Sequence, residues 1–243
     1  MKKIITYILA FLFSFGLGFA QVALEAQRAK SFISISGGYS VLRGQITRSD
    51  YYNTNSGYAN RSGYNVGLDG AYYLTKHLGL GGVFSFESFS AAHLQSLSNG
   101  YQNDFDVDSV SVTATTKYNF YTFFMGPYFS FPVQKFTLDA RVTGGIALVN
   151  TPEFDVNVVD GGKPHPFAQN ISYGSAFGFQ TGIGIRYAIS HHIALKLNAD
   201  YYYTDPNIPI KNSNRPIVAG RILTDYHQPI TMLKINLGTV YQF

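Results

Sequence analysis

The stretch LKINLGTVYQF, residues 233–243, decides how this chain is read. Leu233, Ile235, Leu237, Thr239, Tyr241 and Phe243 take every second place, Lys234, Asn236, Gly238 and Gln242 sit between them, and Val240 is the one apolar intruder. Side chains of a strand alternate between its faces, so a period of two gives one apolar and one polar face. A soluble sheet can produce that pattern. A strand that finishes on an aromatic at the last position of the sequence is more unusual, and its meaning depends on the segments before it.

Working outward, the same alternation recurs at residues 33–41, 64–74, 78–87, 109–131, 136–148, 173–187 and 193–203. With 233–243 this predicts eight strands. Three tight turns (75–77, 132–135 and 190–192) alternate strictly with four long connections (47–62, 88–108, 150–172 and 204–229), the last carrying Pro206, Pro209, Pro216 and Pro229. Segment 109–131 is longer than the ~9–11 residues a tilted strand needs to cross a bilayer, so its upper half is expected to project as a ribbon able to pair with a partner strand. Its lower half, 120–131, is apolar on both faces. The parity there is ambiguous, and a bulge near Gly126-Pro127 is the expected device.

Composition agrees with strands facing something apolar. The 243 residues include 19 Tyr, 20 Phe and 24 Gly, no Trp, and only 13% charged side chains. Mean hydropathy is close to zero, the average expected when half of each strand faces lipid and half a polar interior. Residues 1–20 read as a secretory signal peptide: Lys2 and Lys3, then an apolar run, then the small-x-small site Gly18-Phe19-Ala20. Residues 21–30 form a short polar lead, and 31–243 the barrel domain. Without Lys2 and Lys3 the net charge is +2. A pI near 9.1 therefore gives no reason to expect a nucleic-acid partner. The lack of Cys excludes a disulfide framework, a thiolate metal site and a lipidated N-terminal cysteine.

Short turns at one end and long loops at the other, with a C-terminal aromatic, resemble the eight-stranded outer-membrane β-barrels of the OmpA/OmpX-like kind. The fold class implied is all-β, an antiparallel up-and-down transmembrane barrel. The resemblance also implies location in the cell outer membrane of a Gram-negative bacterium, contact with outer-membrane lipid and lipopolysaccharide, a monomer, and Tyr241 and Phe243 as a signal for the barrel-assembly machinery. Aromatic girdles are expected from Tyr72, Tyr128, Tyr187, Tyr241 and Phe243 below and Tyr39, Phe86, Tyr173 and Tyr203 above.

The predicted inner face collects Asp69, Glu87, Asp139 and Asp200 against Arg141, Arg186, Lys196 and Lys234, with Lys117 a further candidate. An eight-stranded cylinder is just wide enough for side chains to fill. Because the two signs balance, a plug of mutual salt bridges is the preferred expectation and a narrow ion path or a carrier of small hydrophobic molecules the alternative. Small residues on strand six (Gly174, Ala176, Gly178, Gly182, Gly184) leave room for the long ones. Two barrel-enzyme families bear on the loops. None of His77, His93, His165, His191, His192 and His227 is followed two places on by Ser, as the lipid A deacylases require. Asp106-x-Asp108 and Asp225-Tyr226-His227 are similar to the paired acids and Asp-x-His of the omptin proteases, which have ten strands. No metal or cofactor is expected, His191-His192 and the acids of 104–108 lacking the spacing for one. Tyr51, Tyr52, Asn53, Tyr58, Asn60, Tyr101 and Asn103 suit adaptable recognition of an extracellular protein or glycan. They equally suit plain hydrophilic loops. The function expected is non-enzymatic, in envelope integrity or surface interaction. Deleting Phe243 should impair insertion in cells more than folding in detergent, both read from heat-modifiable gel migration; equal loss of both would count against a targeting role.

Overall fold

A computed structural model describes residues 29–53, 55–209, 212–213 and 225–243. The expected signal peptide, and the lead up to residue 28, lie outside the described residues. The strands in chain order are β1 (Phe32–Arg43), β2 (Ala59–Tyr73), β3 (Leu78–Ala91), β4 (Ser109–Ala114), β5 (Tyr118–Val133), β6 (Phe136–Asn150), β7 (Phe154–Asp160), β8 (Lys163–Gln169), β9 (Tyr173–Ala188), β10 (Ile193–Thr204), β11 (Asn207–Pro209), β12 (Asn212–Ser213), β13 (Asp225–His227) and β14 (Ile230–Gln242). One helix, α1 (Leu94–Phe105), lies between β3 and β4.

Eight of these strands close into an antiparallel cylinder in the order β1-β2-β3-β5-β6-β9-β10-β14, with β14 returning to β1. Closure runs the full length of the seam, from Phe32 opposite Gln242 to Arg43 opposite Thr231. The stretch 233–243 is thus paired on both sides, with β1 and with β10. Its alternation is the one anticipated: Leu233, Ile235, Leu237, Tyr241 and Phe243 point outward, and Met232, Lys234, Asn236, Val240 and Gln242 point inward and are buried.

The ambiguous half of β5 resolves with Phe120, Thr122, Phe124, Tyr128 and Ser130 inside and Phe123, Met125, Phe129 and Phe131 outside. No bulge forms at Gly126-Pro127. Met125 faces Gly144 and Tyr128 faces Arg141 in one unbroken register, so the proline leaves out a hydrogen bond without shifting the ladder. The register does slip between Ala59 and Gly63 of β2, at the long-loop end. Tyr128 is therefore not a girdle residue. It is 1% exposed, its hydroxyl lying against Arg141.

Segment 109–131 is not one strand. It breaks at Thr115-Thr116-Lys117; the lower part is barrel strand β5, and the upper part, β4, belongs to a separate four-stranded sheet, β12-β8-β7-β4. The expected ribbon is therefore already paired within the chain, with Ser109 opposite Val159 and Ala114 opposite Phe154. The long connection 150–172 is likewise a hairpin, β7-β8, turning at Gly161 and Gly162, whose φ values of 54° and 75° require the left-handed region. Helix α1 carries Ser96, Ser98, Asn99 and Gly100, and its N-cap, His93, makes no side-chain cap bond. Its local preference for helix is weak, so packing must hold it.

Inside the cylinder two apolar clusters bracket a polar belt. At the turn end, Phe32, Ala71, Tyr73, Val83, Tyr128, Ala194 and Val240 form a floor. At the loop end, Leu42, Ile46, Phe89, Tyr118, Phe120, Phe124, Val149, Tyr202, Ile230 and Met232 are among the residues that form a roof. Outward side chains such as Ile35, Leu68, Phe177, Ile183 and Leu237 are exposed over the wall, a band that only lipid would cover favourably. A charge there should be costly: Leu237→Arg, near the middle of β14, is expected to lower stability by about 2–4 kcal/mol, measured by urea unfolding in phospholipid vesicles.

Candidate functional site

The belt is built by facing strands. β6 supplies Asp139 and Arg141, β9 Arg186, β10 Lys196 and Asp200, β2 Asp69, β3 Glu87 and β14 Lys234, all at most 8% exposed. Arg141 spans the lumen. Its Nε and Nη2 donate to the two carboxylate oxygens of Asp200 at 2.9 and 2.8 Å, and its Nη1 donates to Asp69 at 2.8 Å. Lys196 and Ser34 also donate to Asp69. Arg186 grips Asp139 with Nε and Nη2 at 2.7 and 2.9 Å, while Ser130 donates to the same carboxylate. Lys234 pairs with Glu87. Every one of these eight ions has an opposite charge in contact, and bidentate pairs of this kind combine strength with fixed geometry.

Aromatic faces complete the setting. Arg186 and Lys196 lie 4.3 and 4.4 Å from the centre of the Phe32 ring, and Lys234 lies 4.6 Å from that of Tyr202, distances at which a cation is attracted by the ring face. Two glycines of β9 make the room. A Cβ on Gly182 would stand 1.8 Å from an Asp200 oxygen, and one on Gly184 would stand 2.3 Å from the Asn198 side chain. Lys117 is not part of the belt: it is exposed between β4 and β5, 5.8 Å from the Tyr64 ring centre. A cavity of about 10 Å³, lined in part by Gln180, Asn236, Arg141 and Lys234, remains in the belt. That is room for about one water.

The long connections build a second feature, a platform above the barrel. Leu97 and Tyr101 of α1 pack with Tyr58, Val112 of β4, Phe154, Val156 and Val158 of β7, and Phe167 of β8. Gly100 lets the Tyr51 ring lie on the helix; a Cβ there would fall 2.1 Å from it. The Tyr51 hydroxyl donates to Asp104 at 2.8 Å. Burial pushes the Tyr58 hydroxyl up to about 12. Both sheet edges are partly blocked. Ser98 Oγ accepts the Val112 N–H of β4 at 3.1 Å, and β8 carries Pro164 and Pro166 on the half that β12 does not pair. Such devices are how edge strands are kept from adding further strands. The face turned away from the platform core carries Ser109, Ser111, Thr113, Asp155, Asn157, Pro164 and Pro166, all exposed.

The loop residues singled out in the sequence divide between these settings. Tyr58 and Tyr101 are buried in the platform core and Tyr51 is half-buried against it, so they hold the platform together and do not present themselves for recognition. Tyr52, Asn60 and Asn103 are exposed. Asp108 accepts the Gly162 N–H, whereas His227 lies 3.9 Å from Asp205; the two omptin-like pairs thus make their contacts with different neighbours. Among the described residues no three His, Asp or Glu side chains converge as a metal site would require. The platform is what the sequence reading missed, and the Gly161-Gly162 turn was the available signal.

A closed eight-stranded cylinder with an apolar outer wall, paired charges within and all long connections at one end is an outer-membrane β-barrel. Residues 10–243 match the family described as outer membrane protein beta-barrel domain, and the chain belongs to that family. No curated protein matches the sequence significantly. Among solved structures, the outer membrane protein OprG from Pseudomonas aeruginosa is 15% identical with a TM-score of 0.45, over 90% of this chain and 99% of that one. Ail, the attachment invasion locus protein of Yersinia pestis, is 16% identical with a TM-score of 0.39, over 88% and 100%. The outer membrane protease OmpT from Escherichia coli is 9% identical with a TM-score of 0.39, over 91% and 99%. At these identities the likeness is one of fold. The protein resides in the outer membrane; in barrels of this class short turns face the periplasm and long connections the outside.

Removing one partner from the belt strands a buried charge. Arg141→Ala leaves Asp200 without the arginine's bidentate grip and should lower stability by about 3–5 kcal/mol. Arg141→Ala combined with Asp200→Asn should recover part of that loss. Urea unfolding in vesicles, followed by tyrosine fluorescence, measures both.

Proposed function

We propose that this protein is a non-enzymatic surface barrel whose lumen is a structural plug and whose platform meets a protein or glycan outside the cell. The observation that carries this reading is the pairing of the four buried carboxylates with the four buried cations between an apolar floor and an apolar roof. A selective pore needs sites that an ion can enter and leave. Here each charge is already neutralised by protein. Chemistry that does not pass through the wall is left to the outer surface, and there the connections have a core of their own and an exposed face of hydroxyl, amide and carboxylate side chains. A rigid platform loses less conformational entropy on binding than free loops would.

The test replaces the β7-β8 hairpin, residues 154–169, with a short Gly-Ser turn. Whole cells carrying this variant are expected to lose adhesion to glycan-bearing and protein-coated surfaces, while the barrel keeps its heat-modifiable migration. Purified wild-type protein in planar bilayers should show no steady conductance. Adhesion that survives the replacement would sink the platform reading, and a steady conductance lost in Arg141→Ala would favour the small-pore alternative. Cleavage of a fluorogenic peptide by wild-type cells but not by His227→Ala cells would instead favour an omptin-like protease.

A further inference from the structure

The periplasmic turns share a construction that the plug and the platform do not use. Each is clipped to the next strand through a turn carbonyl: His77 accepts from the Ser130 N–H at 2.8 Å, Lys135 from Ala188 at 2.8 Å, and His192 from Gln242 at 2.7 Å. In two of the three the histidine ring closes the clip from the other side. His77 Nδ1 donates to the Ser130 carbonyl at 2.9 Å, and His192 Nδ1 donates to that of Gln242 at 3.0 Å. Each ring also stacks on a lipid-facing aromatic, His77 on Phe131 at 5.2 Å and His192 on Tyr241 at 5.7 Å between ring centres. With Nδ1 committed to a carbonyl, Nε2 is the ring nitrogen left to meet a group outside the protein.

Charge and apolarity around these clips are sorted in the same way. The described rim carries Lys30, Lys76 and Lys135 with His77, His191 and His192, and no acidic side chain. Lys30 is engaged, its Nζ donating to the His191 carbonyl at 2.7 Å; Lys76 and Lys135 are exposed. Beside the cations stand exposed apolar side chains: Leu74 and Leu78 about Lys76, Val133 and Phe136 about Lys135, Ile189 and Ile193 about the histidine pair. An exposed apolar residue on each flank of Lys76 and of Lys135 suits a turn lying between acyl chains and phosphates, with apolar flanks below and basic tips at headgroup level.

We propose that the three periplasmic turns form a cationic collar seated in the headgroup layer of the inner leaflet, where Lys76 and Lys135, beside the clipped histidines, bind the phosphates of anionic phospholipids. Fixed turn backbones keep the cations at one depth around the barrel, so the collar selects lipid by charge and also sets how far the barrel sits into the leaflet. The attraction of a lysine to an anionic surface is worth at most about fivefold in association.

The test uses the full barrel reconstituted in phosphatidylcholine bilayers with trace spin-labelled lipids of either headgroup. The fraction of motionally restricted label measures association of phosphatidylglycerol against phosphatidylcholine. Wild type is expected to prefer phosphatidylglycerol several-fold, Lys76→Gln with Lys135→Gln to bring the ratio close to one, and the matching pair of arginine substitutions to retain it. Both lysines are exposed, so the glutamine pair should keep wild-type heat-modifiable migration. A ratio near one in wild type overturns the collar, and so does a preference that survives the glutamine pair. In neutral detergent, inorganic phosphate or a soluble acidic muropeptide should cause no saturable shift in the amide resonances of the turns. Saturation by either, dependent on the two lysines, would assign the site to a free anion or a cell-wall partner in place of the membrane.

Discussion

A backbone N–H or C=O in lipid has no water to bond, and each one left unpaired costs several kcal/mol. The architecture of this protein follows from that constraint. A sheet with an edge cannot lie in the membrane, so β14 must return to β1, and the twelve-residue seam between Phe32 and Arg43 removes both edges at once. Closing eight strands fixes a narrow diameter. Every inward side chain must then share that space with those of the opposite wall.

The lumen shows how the space is filled. Burying one ion is costly unless its partner and its remaining hydrogen bonds are supplied. Asp69 meets this condition through Arg141, Lys196 and Ser34 together, and Asp139 through Arg186 and Ser130. The four acids and four bases of the belt sit on six different strands; Arg186 and Asp139 join the neighbours β9 and β6, and the other pairs join walls that are not hydrogen-bonded neighbours. Glycine at 182 and 184 opposite Asp200 and Asn198 is the steric counterpart of that pairing. The aromatic faces of Phe32 and Tyr202 let the cations border the apolar floor and roof without losing all favourable contact.

This arrangement also explains what sequence could and could not disclose. The barrel was legible because most strands meet lipid on one face and a polar belt on the other, which writes a period of two into β1, β9, β10 and β14. β5 blurred it because its inward Phe120, Phe124 and Tyr128 belong to the roof and floor, where the interior is itself apolar. The eight belt charges could be named from parity alone, but which acid meets which base depends on register across the lumen. Residues 109–114 alternate correctly, yet alternation does not say which sheet a strand joins, and so β4 read as an extension of β5. The helix was invisible because Leu97 and Tyr101 are held by partners from β7 and β8, distant in sequence, while its own residues argue weakly for a helix.

The platform depends on this division of labour. The bases of the first and last long connections supply Ile46 and Ile208 to the roof, beside Ile230 of β14. The remaining chain is free to bury Tyr58, Val112, Val156 and Phe167 in a core of its own. The Tyr118 hydroxyl of β5 donates to the Gly57 carbonyl and so ties the barrel to the chain beneath that core, while the Thr115 N–H donates to the Glu153 carbonyl and continues the β4-β7 ladder toward the barrel. A module joined in this way can change its outer face without disturbing the belt, because none of the residues exposed on that face, Ser109, Ser111, Thr113, Asp155 and Asn157, belongs to the roof or to the ion pairs. Stability resides in the wall and the lumen, and the outer face of the platform is a surface on which neither depends.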